Sequence, residues 1–251
     1  GRALDLREQS TASLADMGQR LFTLVFVLLA VVIASDYGIT WDETVEHFKR
    51  HKGQRTFEFW FNGFDAKNAP FDTGHNPFTF FLYYTVHHGL HALGLKWQIH
   101  DTYHFLTALI AVVGFNLSYR VAARYLARPW ALGAALLLLL WPRFFGHAFA
   151  NFKDIPFAVA WLFCIYTLLN TLSEPTTKRM LHHGAALGVL LTVRIGGLMF
   201  LPISVIGLGI AAIRSEQPMW RERILGFAAA VSLAIAIHYF SYPYLLLHPI
   251  D

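Results

Sequence analysis

Apolar residues gather in six runs separated by polar or basic stretches: Leu21 to Ala34, Tyr103 to Tyr119, Trp130 to Trp141, Pro156 to Leu172, Gly184 to Ile213 and Ile224 to Phe240. Leu, Val, Ala, Phe and Gly dominate them, without the every-second-residue alternation of lipid-facing strands. Each run therefore predicts a helix at membrane depth and not a barrel strand. Extended to Tyr37, the first run ("LFTLVFVLLAVVIA" onward) reaches 17 residues, enough for a short span. With Arg20 before it and small residues behind, it also fits the core of a cleaved signal peptide. The fifth run covers 30 residues, and one helix of that size would measure about 45 Å, too long for a bilayer without steep tilt. A break at "VRIGG", around Arg194, divides it in two and predicts seven spans in all.

The basic residues test that division. With the N-terminus inside, seven spans put Arg2, Arg7, Arg20, Arg120, Arg124, Arg128, Lys178, Arg179, Arg214, Arg221 and Arg223 on the cytoplasmic side, as the positive-inside rule expects. An unbroken fifth run would send Arg214, Arg221 and Arg223 outside. On the opposite face the division places the segment from Asp36 to about His100, the turn "WPRFFGHAFANFKDIPF" and the turn at Arg194. The first of these is itself basic, with Lys49, Arg50, Lys52, Arg55 and Lys67. Loops of that length weigh little in orientation, and a positive outer surface suits anionic head groups. Its "FEFWFNGF" and "FTFFLYYTVHHGLHALGL" are aromatic and partly amphipathic, which predicts helices lying along the interface.

Composition agrees with a membrane chain. Of 251 residues, 55% are hydrophobic and 14% charged, against roughly a quarter charged in soluble domains. The net charge of +4 is small, and nothing suggests a nucleic-acid partner. Cys164 is the single cysteine, so neither a disulfide framework nor a cysteine metal cluster is available. No HExxH, phosphate-binding Gly-rich loop or nucleotide fingerprint occurs, which points any activated donor towards a lipid-linked form.

Candidate chemistry follows the polar residues on the predicted outer face. In "DYGITWDETVEH", Thr40 and Glu43 are spaced as a capping box. Asp42 reads either as a partner of the helix dipole or as a general base held above the lipid surface. In "PRFFGHAFANFKDIP", a continuous helix would bring Arg143, His147, Asn151 and Asp154 within an arc of about 80°. Pro156 starts a new helix near Asp154, so that acid reads as a cap or as a second active-site group. Arg143 and Lys153 beside it are cations able to hold a phosphate. Arg194, between "GVLLTV" and "IGGLMFLP", is too costly in hydrocarbon without a partner; it is either a snorkelling helix end or a phosphate clamp whose glycines let backbone approach closely. His87 and His91 of "HHGLH" share a helix face and read as interfacial groups or as metal ligands.

These residues together resemble the GT-C membrane glycosyltransferases, in particular the protein O-mannosyltransferase and lipid A aminoarabinose transferase group. The resemblance rests on "TWDETVEH" after the first span, "HNPFTFFLYYTVHHGLHALGL" before the second, "FANFKDIPFAVAWLF" entering the fourth and "VRIGGLMFLP" after the fifth. Their order and spacing carry it along nearly the whole chain. It implies an all-α polytopic fold, with residues 1–251 forming the shared seven-span core and the family's further spans and soluble domain lying outside this sequence. It implies transfer of a sugar from a polyprenyl-phosphate donor, with inversion, to a lipid, glycan or protein acceptor at the extracytoplasmic face of a bacterial plasma membrane. By position Asp42 is then the base, Asp154 the second acid and Glu43 a support of the first loop. Arg143, Lys153 and Arg194 are implied for the donor phosphate, with His47, His75, His147 and Asn151 as supporting groups. His75 and Asn76 stand before Pro77 where relatives often carry lysine. No cofactor is required, since phosphate is already a good leaving group, although the site chemistry would admit a divalent metal. A transporter with broken helices around an Asp/Arg/His site is the competing reading, but it calls for those residues near mid-depth. A non-enzymatic membrane scaffold leaves the convergence of acids and cations unexplained.

Overall fold

The computed structural model describes residues 2–38, 50–61, 63–64, 77–213, 220–242 and 247. Every regular element among them is helical: α1 (Arg2–Ile33), α2 (Arg50–Phe61), α3 (Pro77–Ala92), α4 (Ile99–Ala122), α5 (Arg128–Leu140), α6 (Pro142–Ala150), α7 (Asp154–Ser173), α8 (Thr177–Val193), a 3-10 turn (Ile195–Met199), α9 (Phe200–Ile213) and α10 (Trp220–Ser241). The predicted all-α class is observed, and the six apolar runs lie on helices. Four segments are long and apolar enough to cross a membrane: Ser10–Ile33, Ile99–Ala122, Asp154–Ser173 and Ile224–Ser241. A fifth is obtained if α5 and α6, bent by 61°, form one broken span. Seven spans are not reached by this measure, because the breaks leave short helices: α8 has 17 residues and the apolar stretch after Arg194 runs only from Ile195 to Ile210.

The chain forms two compact units, one over Gly1–Asp42 and Lys96–Leu162, the other over Glu43–Leu95 and Phe163–Asp251. In the first, α1 presents Leu21, Leu24, Leu28 and Val32 outward and buries Phe26, Ala30 and Ala34 at four-residue spacing. An outward apolar face is what a lipid solvent rewards. Towards the interior α1 carries polar groups, and each finds a partner, as hydrocarbon demands. Gln19 donates to the Asn116 side chain of α4, and Asn116 Nδ2 donates to Thr23 Oγ1 at 3.1 Å and to the Val112 carbonyl at 2.8 Å. Near one end Tyr119 donates to Asp16 at 2.5 Å, and Arg128 of α5 pairs with the same carboxylate.

In the second unit the predicted aromatic segments are helical and pack together. Gly53 of α2 sits so close to α3 that a Cβ there would lie 2.5 Å from the Phe80 carbonyl oxygen. The ring of Phe57 meets Tyr84 and His88, with centroids 5.7 and 5.4 Å apart. Small residues also join α8 to α10. A Cβ on Gly184 would come within 2.3 Å of the Ala230 carbonyl, one on Gly188 within 3.1 Å of Ala234 Cα, and one on Gly226 within 2.5 Å of Met180 Sδ. Glycines four residues apart let two backbones touch, which is how helices associate where lipid is as apolar as leucine. Met180, Gly184 and Gly188 meet Gly226, Ala230 and Ala234 in the same order, so α8 and α10 run parallel. A chain that reverses twice between them, once before α9 and once after it, has that arrangement; an unbroken pass over 184–213 would have made α10 antiparallel. The first reversal lies where the sequence placed it. Arg194 is extended (φ −153°, ψ 137°), the 3-10 turn follows, and Gly197 comes back against Leu190, where a Cβ would be 2.7 Å from Leu190 Cγ.

A buried histidine ties three helices of this unit. His183 Nδ1 lies 2.9 Å from Thr167 Oγ1 and Nε2 lies 2.9 Å from Ser204 Oγ. Both hydroxyls are also within reach of backbone carbonyls on their own helices, Phe163 for Thr167 and Phe200 for Ser204. A neutral ring carries one N–H, so one hydroxyl donates to the ring while the other accepts from it and donates to its carbonyl.

Two stability outcomes follow. Gly184→Ala should lower the thermal stability of the purified protein by about 1–3 kcal/mol through overpacking, whereas Gly89→Ala, with nothing within 4 Å of its Cβ, should leave it unchanged or raise it. Equal effects of the two would contradict close packing of α8 on α10. His183→Leu should cost only about 1 kcal/mol in the same melts, because Thr167 and Ser204 fall back on their own carbonyls; complete loss of folding would show the ring to be indispensable.

Candidate functional site

The site in the first unit is built on two helix interruptions. Pro142 has no amide hydrogen to continue α5, and it holds Trp141 extended (ψ 122°), so α6 starts afresh at an angle. On this short helix Phe145 and Phe149 share one face and turn inward. The Phe26 ring packs on both, with centroids 5.9 and 5.5 Å apart. Arg143 and His147, one turn apart, occupy another part of the surface; Arg143 is exposed and His147 half-buried.

α6 ends at Ala150, and Asn151 joins it to α7. Asn151 Oδ1 accepts from the backbone amides of Lys153 at 3.2 Å and Asp154 at 2.8 Å, which caps the start of α7. This fixes the side chain's orientation, so its Nδ2 must point the other way. Nδ2 lies 3.0 Å from Asp154 Oδ2 and 2.8 Å from His147 Nδ1. An amide nitrogen only donates, so His147 Nδ1 accepts and the neutral imidazole carries its proton on Nε2. One amide thus caps a helix, orients a carboxylate and sets a tautomer. Next to it the Lys153 ammonium lies 5.5 Å from the centre of the Phe152 ring, and Phe152 is buried against Tyr103.

Two points that the sequence left open are resolved here. Arg143 to Asp154 is not one helix, since backbone turns at 151–153 interrupt it. His147, Asn151 and Asp154 nevertheless come together, through hydrogen bonds across the break. Nor does Asp154 cap α7: Asn151 does, because three residues of turn carry its amide oxygen back to the open N-terminus. The Asp154 carboxylate, at an exposed position in the first helical turn, is thereby spared that role.

The end of α1 is fixed to the same region. Tyr37 donates its hydroxyl to the Gly146 carbonyl at 2.9 Å and stacks on Phe149, with centroids 5.5 Å apart. His104 of α4 lies with Nδ1 3.0 Å from the Ala34 carbonyl, so that nitrogen is the donor. Tyr37 and His104 are positioning residues that the sequence did not single out. A tyrosine directly after an apolar run, and a histidine inside one, are the only signals it offers.

Arg194 belongs to the second unit, where it is exposed and closes α8, its amide donating to the Leu190 carbonyl at 3.2 Å. One turn away the parallel ladder of α8 and α10 becomes polar. Spacing of four along both helices sets Thr192 opposite His238. These two polar residues beside Arg194 were also missed by the sequence reading, though a histidine within the last apolar run was visible. Asp42, Glu43, His47 and His75 lie outside the described residues. The His87 and His91 rings lie tilted to each other with centroids 4.9 Å apart, but no group of three or more His, Cys, Asp or Glu suited to a metal occurs among the described residues.

No curated protein and no solved structure matches the chain. The family described as dolichyl-phosphate-mannose-protein mannosyltransferase matches residues 98–242, more than half of the sequence. The match takes in Arg143, His147, Asn151, Lys153, Asp154 and Arg194 and stops short of the acid pair. With an all-helical membrane architecture behind it, the chain belongs to the dolichyl-phosphate-mannose-protein mannosyltransferase family, a family of membrane glycosyltransferases of the GT-C type.

Proposed function

We propose that this glycosyltransferase moves a sugar of the mannose kind from a polyprenyl-phosphate donor to a hydroxyl or amine of a lipid, glycan or protein acceptor. The reaction runs with inversion at the extracytoplasmic face of a bacterial plasma membrane. The observation that carries the reading is the Asn151 junction, which holds Asp154 and His147 together at a helix break between membrane-type segments. Family membership supports the sugar transfer, and the absence of any nucleotide motif supports a lipid-linked donor.

In this reaction Asp42 takes the proton of the acceptor nucleophile as its oxygen or nitrogen bonds to the anomeric carbon. The bond from that carbon to the phosphate oxygen breaks on the opposite face, and its electron pair leaves with the polyprenyl phosphate. Asp154 is the second acid, its charge complementing the positive charge that develops at the anomeric carbon. Arg143, Lys153 and Arg194 are the cations available for the phosphate, and no metal is needed for it to depart. Chain length supports the role of Asp42. Tyr37 touches Gly146, the residue before His147, and Asp42 is five residues further on, a stretch that spans at most about 18 Å. The acid is within chain reach of the cluster, with Glu43 beside it as support for the loop.

Asp42→Asn, assayed with a panel of polyprenyl-phosphate sugars, should abolish release of polyprenyl phosphate while leaving donor binding in place. Activity within about tenfold of the parent protein would rule Asp42 out as the base. The two functions of Asn151 separate by substitution. Asn151→Ala removes cap and donor together, and should cost about 1 kcal/mol of stability along with turnover. Asn151→Asp keeps a capping oxygen but loses the donor to Asp154 and His147, so stability should hold while turnover falls by about 100-fold. Full activity in Asn151→Asp would show that the orientation of Asp154 does not matter to transfer.

A further inference from the structure

The hairpin between α7 and α8, in the second unit, lines a half-open cavity of about 580 Å³ to which none of the residues assigned to transfer contributes. That size lies within the usual range of small-molecule sites, roughly 300–1,000 Å³. Its mouth is cationic. Arg179 is already ordered, its guanidinium donating to the Asn170 carbonyl at 2.8 Å and pairing with Glu174 at 2.6 Å. Lys178 and His182, both exposed, are one turn apart on α8 and so share a face of that helix. The inner wall is aromatic, formed by Phe163 and Tyr166. Phe163 precedes the end of α7 at Ser173 by ten residues, a rise of about 15 Å along a helix. Charge at one end and ring surface about 15 Å deeper match the dimensions of a phosphate head group joined to an acyl chain, while a soluble anion would use the mouth alone.

We propose that this cavity binds a phosphate-bearing lipid, an anionic phospholipid of the surrounding leaflet, with its phosphate at Lys178, Arg179 and His182 and its chain along Phe163 and Tyr166. The site is separate from sugar transfer and lies at the membrane end that carries Lys178 and Arg179, the opposite end from the turn at Arg194. Glu174 does not cancel the attraction: it pairs with Arg179, and Lys178 remains a further cation of the mouth.

The full chain, purified and placed in nanodiscs of phosphatidylcholine with graded phosphatidylglycerol, should retain phosphatidylglycerol preferentially on mild extraction, as read by native mass spectrometry. Lys178→Gln should weaken that retention about fivefold. Tyr166→Trp, which fills the cavity without changing charge, should also reduce it and keeps the test open if the mouth variant folds poorly. Inorganic phosphate at equal concentration should not displace the lipid. Equal retention of the two phospholipids, or retention unaffected by Lys178→Gln and Tyr166→Trp, would overturn the proposal. Displacement by inorganic phosphate would overturn the lipid assignment in favour of a soluble phosphate compound.

Discussion

A backbone amide or carbonyl freed by a break in a membrane helix must find its partner within the protein, because hydrocarbon supplies none. Three breaks among the described helices lie beside polar residues, and each of these is closed by local hydrogen bonds. After Pro142 the Trp141 carbonyl accepts from Phe145, so α6 restarts at once. Between α6 and α7 the Asn151 side chain takes up two amides. After Arg194 the Gly197 amide returns to the Arg194 carbonyl. The polar side chains at these points are first of all the means by which the breaks are tolerated, and chemistry is built on what remains of their hydrogen-bonding capacity.

Asn151 shows how the two uses are linked. Capping consumes its oxygen and thereby fixes where its nitrogen points, so the orientation of Asp154 and the tautomer of His147 follow from a structural necessity. The same economy governs the approach to the site. Tyr37 spends its hydroxyl on a carbonyl of α6, and His104 spends one ring nitrogen on the last turn of α1. The segment that leads on to Asp42 therefore departs from a fixed point. In the second unit the constraint is packing instead: glycines at four-residue spacing bring α8 and α10 into backbone contact, and Arg194 sits where that parallel pair turns polar.

Much of this was legible in the sequence. Apolar runs gave the helices, and the excess length of the 184–213 run together with the placement of the basic residues located the reversal at Arg194. The clustering of His147, Asn151 and Asp154 was also visible, but for a different reason from the one that holds. Helical periodicity suggested a stripe, whereas the residues meet because an asparagine bridges a break. Sequence cannot separate these cases, since four-residue spacing brings side chains together on a helix and asparagine brings them together across a cap. The division of labour between Asn151 and Asp154 was likewise hidden, as both residue types cap helices well. Span number was the least legible property: short helices such as α6 and α8 have apolar composition without the length of a crossing. Partners such as Gln19 with Asn116, or His183 with Ser204, lie 97 and 21 residues apart, and no local pattern announces them.

The most direct test of the account is release of polyprenyl phosphate from polyprenyl-phosphate mannose by the full chain in liposomes, measured beside Asp154→Asn. The account predicts saturable release by the parent protein, lost in the variant while donor binding persists. Release that is unchanged in Asp154→Asn, or a parent protein that neither binds nor cleaves the donor, would contradict it.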